Sequence, residues 1–210
     1  MPSDQAQSLH QLTTAQRNLN SSWAHYWILY SNPSTWQFWL NVLLIVGPLV
    51  VLYFALDRKK ALLIGFYGFN VHVWFGYIDS LGASHSLWAY PFRVIPFLPI
   101  SFALDVALVP TVYMLVYQWT INHDKNYYLY ATVTSGIFAF AFKPFITSLS
   151  LFQMYRWMNY AYLFVGYLVV MLISKLLTDL FLYFTNHPRR RGRHHISLKA
   201  ARRGRIANVR

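Results

Sequence analysis

Five apolar runs, each long enough to cross a lipid bilayer, set the terms on which this chain can fold: Thr35 to Leu56, Ala61 to Leu81, Val94 to Trp119, Tyr127 to Leu151 and Tyr160 to Phe184. A bilayer core of about 30 Å needs roughly 20 helical residues at about 1.5 Å each. Lipid offers no partner to a bare backbone amide, so a spanning segment is either a helix or a strand of a closed barrel. Barrel strands alternate apolar and polar residues, and runs such as LNVLLIVGPLVVLYFAL do not. The expected fold is an all-α integral membrane protein. A bundle of about five transmembrane helices occupies residues 35–185, between a polar leader, 1–34, and a basic tail, 186–210.

Only 11% of the residues are charged, against about 25% in an ordinary soluble domain. The formal net charge of +12 comes from 18 Lys and Arg against six acids, all Asp. Half of the basic residues lie beyond His187, so the excess belongs to the tail. No Cys is present, which excludes disulfides, thiolate metal sites and a cysteine nucleophile. The leader lacks the charged start, apolar core and small-residue cleavage site of a secretion signal, so the first span is expected to serve for insertion. Within it, Trp23, Tyr26, Trp27 and Tyr30 recur at helical spacing and predict a short helix lying in the membrane interface.

Short loops rich in Lys and Arg remain in the cytoplasm. Arg58, Lys59 and Lys60, then Lys125, then the tail fall on one side of five crossings, which predicts an outside N-terminus and a cytoplasmic C-terminus. Trp36, Trp88, Tyr90, Trp119 and Tyr127 lie at span ends and read as interfacial anchors.

The third run, VIPFLPISFALDVALVPTVYMLVY, carries one charge, Asp105, near its middle. An ionisable group inside the bilayer is costly and marks a candidate functional site. Pro110 deprives the Val106 carbonyl of its helical partner, one residue from the acid, and Ser101 lies one turn before it. Lys143, followed by Pro144 in the fourth run, is expected at similar depth and is the natural partner of Asp105. His72 and Asn70 in the second run are candidates to extend this polar centre, His72 because its reference pKa lies close to physiological pH. Asp79 and His85 read as solvated residues of a span end and loop. Lys175 and Asp179, four apart in the fifth run, share a helix face and predict a local ion pair.

Arg189, Arg190, Arg191, Arg193, Lys199, Arg202, Arg203 and Arg205 form a juxtamembrane basic cluster of the kind attracted to anionic lipid. The tail has no stacking aromatic, which makes nucleic acid the poorer partner. His194 and His195 lack a spaced third ligand for a metal, and no cofactor is implied. HExxH, GxSxG and Walker-type sequences are absent.

The block GYIDSLGASHSLWAYPFRVIPFLPISFALDVALVPTVYMLVYQW, through Trp88, Tyr90, Pro91, Pro96, Pro99 and Asp105, resembles an uncharacterised family of small multi-pass membrane proteins of Gram-positive spore-forming bacteria. The likeness extends more loosely over the second to fifth runs. It implies a bacterial cytoplasmic-membrane protein and no particular activity. On the residues alone, the expected function is non-enzymatic: binding or moving a small lipophilic or proton-linked solute through the polar centre. Alternatives are an assembly role in which polar residues lock helices, and an intramembrane enzyme acting on a lipid or isoprenoid. A thin bundle of five spans also suits a homo-oligomer or a membrane partner.

Overall fold

The computed structural model describes residues 2–187. The chain divides into two units, Met1–Asp179 and Leu180–Arg210. The basic cluster from Arg189 to Arg205, with Lys199, lies outside the described residues.

Among the described residues, five helical stretches are long and apolar enough to cross a membrane: Trp36–Ala55, Ala61–Ser84, Ala103–Asn122, Tyr127–Ser148 and Tyr160–Asn186. Large apolar side chains such as Leu43, Val50, Phe54, Leu62 and Leu176 point outward, while Asp79, Asp105, Lys143, Ser135, Ser174 and Thr178 are buried. An apolar exterior enclosing buried charged and polar side chains fits lipid as the solvent and a multi-pass membrane protein.

Helix α1 (Ser3–Tyr30) is one continuous helix that takes in the polar leader as well as the aromatic segment, and so is longer than the short helix the sequence predicts. It precedes α2 (Trp36–Ala55) and α3 (Ala61–Ser84). A two-residue strand, β1 (Trp88–Ala89), follows. The third span begins as a π-helical turn, Ala103–Leu108, and continues as α4 (Val109–Asn122). The fourth is α5 (Tyr127–Ile137), a second π-helical turn Phe138–Phe142, and α6 (Lys143–Ser148). Strand β2 (Gln153–Met154) and α7 (Tyr160–Asn186) complete the order. In the short second unit, the Tyr183 and His187 rings stack at 4.4 Å.

The third span is the centre of the bundle. Of its apolar stretch 56% is buried, against 6% for α2, whose only buried residue is Asn41. Its helix starts at Ala103, nine residues later than the apolar run suggests. Pro96 and Pro99 each lack an N–H and disfavour helical geometry in the residue before them, so 94–101 runs as irregular chain. The remaining 20 residues still reach about 30 Å. Asp105 therefore lies in the first turn of its helix, not near mid-span.

The two π turns share a cause. In each, a proline is the second residue of the α-helix that follows: Pro110 after Leu108, Pro144 after Phe142. An interior proline pushes against the carbonyl four residues earlier, and a wider turn gives that carbonyl room. The N–H of Val109 reaches back five residues to Leu104, and that of Lys143 to Phe138. The sequence predicts a lost hydrogen bond at Pro110; the structure has widened turns in continuous helices at both prolines.

Two long connections meet at one end of the bundle. Strands β1 and β2 pair antiparallel, with Trp88 opposite Met154 and Ala89 opposite Gln153. The Tyr155 N–H extends the contact to the Leu87 carbonyl at 2.8 Å. Helix α1 is tied to the first connection at Arg93, whose carbonyl accepts from Trp27 Nε1 at 2.8 Å and from Ser31 Oγ at 3.1 Å.

Candidate functional site

Three buried charges gather beneath these paired connections: Asp79 near the end of α3, Asp105 in the first π turn and Lys143 just after the second. Asp105 is fully buried and Lys143 is 2% exposed. The charges acting on Asp105 are those of Asp79 and Lys143. Lys143 stops short of a direct ion pair with either acid: among the described residues, the ammonium–carboxylate contact within 4.0 Å is Lys175 with Asp179.

Asp79 is the member that sequence reasoning misses. Read as a solvated residue at a span end, it is 4% exposed. The reason is the loop that folds back over it. Trp88 Nε1 donates to its Oδ1 at 2.8 Å, and the Tyr90 hydroxyl donates to the same oxygen at 2.6 Å. Trp88 and Tyr90, expected at the membrane interface, are instead 7% and 1% exposed and serve as donors to this acid. One available signal was the order Asp79, Trp88, Tyr90, an acid followed within a loop's reach by two aromatics that carry hydrogen-bond donors. Gly82 makes the fold-back possible, since a Cβ there would stand 2.0 Å from the Trp88 ring.

Lys143 joins the same chain of contacts. Its Nζ donates to the Tyr90 hydroxyl at 3.3 Å and lies 3.8 Å from the centre of the Phe152 ring. Tyr90 thus accepts from the lysine and donates to Asp79. Burial, then the charge of Asp79, pushes the Tyr90 phenol well above its usual pKa. Arg93 lies in the same connection, with Nε on the Tyr90 carbonyl at 3.1 Å, Nη1 on the Leu98 carbonyl at 3.0 Å and its guanidinium over Trp23. Burial pulls its pKa down, and the charge of Asp79 opposes that pull.

What the centre lacks is hydrogen-bond partners. Both oxygens of Asp105, Oδ2 of Asp79 and the hydroxyl of Tyr167 are buried without a hydrogen-bond partner. A buried carboxylate left in that condition is costly. Beside it lies a cavity of about 70 Å³ lined by Asp79, Lys143 and Tyr167 together with Phe75, Trp88 and Tyr162. A site of this size has room for a few waters or a small solute, since one water needs about 10–15 Å³.

The other sequence-predicted residues divide by position. His72 meets the π turn through the backbone: Nδ1 lies 2.8 Å from the Asp105 carbonyl, which only accepts, so the proton is on Nδ1. Ser101 starts that turn, its carbonyl accepting the N–H groups of Leu104 and Asp105 at 3.0 and 2.9 Å, and its Oγ does not reach the carboxylate. Asn70 donates to the Phe66 carbonyl on its own helix at 2.9 Å and lies outside the charged cluster. His85 is exposed. Lys175 and Asp179 form an ion pair along α7, beside the rings of Tyr117 and Tyr127 and apart from the cluster.

That second region is a tyrosine cluster. Tyr127 donates to the Met171 carbonyl at 3.1 Å, so the 2.7 Å contact between the Tyr67 and Tyr127 hydroxyls uses the proton of Tyr67. The Tyr67 and Tyr127 hydroxyls are paired, unlike the oxygens of Asp105. Among the described residues, no group of three or more His, Cys, Asp or Glu is placed to hold a metal ion. Compared with protein-family models, curated proteins and solved structures, the chain matches none.

Proposed function

We propose that this chain is a multi-pass protein of the bacterial cytoplasmic membrane that binds or moves a small solute together with an exchangeable proton, at a centre formed by Asp105, Asp79 and Lys143. The observation that carries the reading is the set of three carboxyl oxygens buried without a donor. Two adjacent carboxyls satisfy one another when they share a proton, and that proton is then available for exchange. The cavity beside them supplies a place for the solute. His72 positions the π turn through the Asp105 carbonyl and is a support for the acid, not a relay to it.

In this reading the N-terminus lies outside and the C-terminus in the cytoplasm, with the Arg189 to Arg205 cluster on anionic lipid. The resemblance to spore-former membrane proteins supplies the choice of membrane.

Infrared spectroscopy of the purified protein tests the proton. The expected result at neutral pH is the C=O stretch of a protonated carboxyl, removed by Asp105→Asn and by Asp79→Asn. Absence of that band in the wild type overturns the shared proton.

A structural reading has one observation in its favour: Asp79 Oδ1 accepts from both Trp88 and Tyr90 and so fastens the loop over the bundle. It accounts for one carboxyl oxygen and leaves the other three without a purpose.

A further inference from the structure

Cavity shape and the unspent acceptors around it point to a solute class. We infer that the cavity between α3 and α7 binds a small organic ammonium ion, which enters beside Gly166. This rests on the reading of Asp79, Asp105 and Lys143 as a solute-binding centre and goes beyond it by naming the ligand's charge and its route.

Asp79 lines the cavity with one oxygen saturated by Trp88 and Tyr90 and the other lacking a donor. Tyr167 lines it with a hydroxyl that also has no partner. When the proton shared by the two carboxyls leaves, Asp79 and Asp105 carry two negative charges against the one positive charge of Lys143, so the group that takes the proton's place is a cationic donor. Lys143 also lines the cavity but contacts neither carboxylate directly, its Nζ donating to the Tyr90 hydroxyl, and Arg93 donates to the Tyr90 and Leu98 carbonyls. Phe75, Trp88, Tyr162 and Tyr167 furnish aromatic wall, the surface that attracts alkylammonium ions through the negative ring face. A bare metal ion would find few oxygens in such a wall. An ammonium on a short alkyl chain matches both parts.

Gly166 gives the route. It stands in the interior of α7 and lines the cavity, and a Cβ built on it meets no atom within 4 Å. Glycine weakens a helix interior relative to alanine, and here no neighbour demands its small size. Its lack of a side chain leaves a gap beside Tyr162, which is 52% exposed on the outer face of α7. On this inference the gap is the ligand's way in from the lipid-facing surface.

The test is the thermal stability of the full chain in detergent against rising propylammonium chloride, with sodium chloride at equal ionic strength and 1-propanol as references. The expected result is a saturable rise in Tm with propylammonium alone, and an apparent affinity at least tenfold weaker in Gly166→Val, whose Cβ meets no atom within 4 Å and whose methyls stand in the gap. Asp79→Asn should abolish the response; if that variant does not fold, Gly166→Val carries the test. An equal response to 1-propanol, no response beyond sodium chloride, or an undiminished response in Gly166→Val overturns the inference. A protonated-carboxyl band without a propylammonium response removes this inference alone. Loss of both removes the underlying reading as well.

Discussion

Tyr90 is the residue on which the charged centre turns, since it accepts from Lys143 and donates to Asp79. Replacing it by Phe removes a hydrogen bond to a charged group, at a cost of about 1.5–3 kcal/mol measured by unfolding of the purified protein. The pH dependence follows from the raised phenol pKa. A folded-state pKa above the unfolded value of about 10 gives stability that is complete below pH ~10 and lost as pH rises further, because the unfolded tyrosine ionises first. Wild type should therefore lose up to about 1.4 kcal/mol per pH unit more than Tyr90→Phe above that point. Equal alkaline slopes in the two proteins would show that Tyr90 is not held in this way. Sequence alone singles out Asp105 and Lys143 because a charge in an apolar run stands out against its neighbours. It misassigns Asp79, Trp88 and Tyr90 because their burial depends on a loop folding back, which leaves no periodic trace.

Elements carry the same lesson in their prolines and glycines. Pro110 and Pro144 are legible as helix disturbances, yet their outcome is two π turns that bring Asp105 and Lys143 into the bundle interior. Pro96 and Pro99 are legible too, but hydropathy counts the residues around them as membrane span because it is blind to backbone conformation. The loop over the site makes a firm prediction at Gly82. An alanine there collides with the Trp88 ring, so Gly82→Ala should cost about 2 kcal/mol or more through overpacking and the strained bond to Asp79. Unchanged thermal stability would mean that Trp88 is free to move. Pairing of the two connections is open to chemical test because the chain has no Cys of its own. Cysteines at Ala89 and Gln153, which stand opposite one another, should cross-link under mild oxidation, and cysteines at Ala89 and Tyr155 should do so far less. Equal cross-linking of both pairs would contradict the register.

At the scale of the whole molecule, the five apolar runs foretell the five helices because lipid leaves the backbone few alternatives. The path of α1 was less legible: its first 20 residues are polar, and the structure makes them helix continuous with the aromatic turns that reach Arg93. The proposed orientation predicts that a cysteine at Ser86 reacts with an impermeant maleimide from outside intact cells and one at Asp124 does not. The reverse pattern would invert the topology.

In the proposed function Asp105 is kept at a cost to stability, and thermal unfolding of Asp105→Asn, Lys143→Met and the double variant in detergent tests this most directly. Asp105→Asn should be neutral or stabilising, because a donorless carboxylate becomes a neutral amide that carries donors of its own and Asp79 remains near Lys143. Lys143→Met should cost about 3–5 kcal/mol, because two buried carboxyls then lose their nearest cation, and the double variant should recover much of that loss. If Asp105→Asn alone is as destabilising as Lys143→Met, the acid is a structural partner and the claim of an exchangeable centre is wrong.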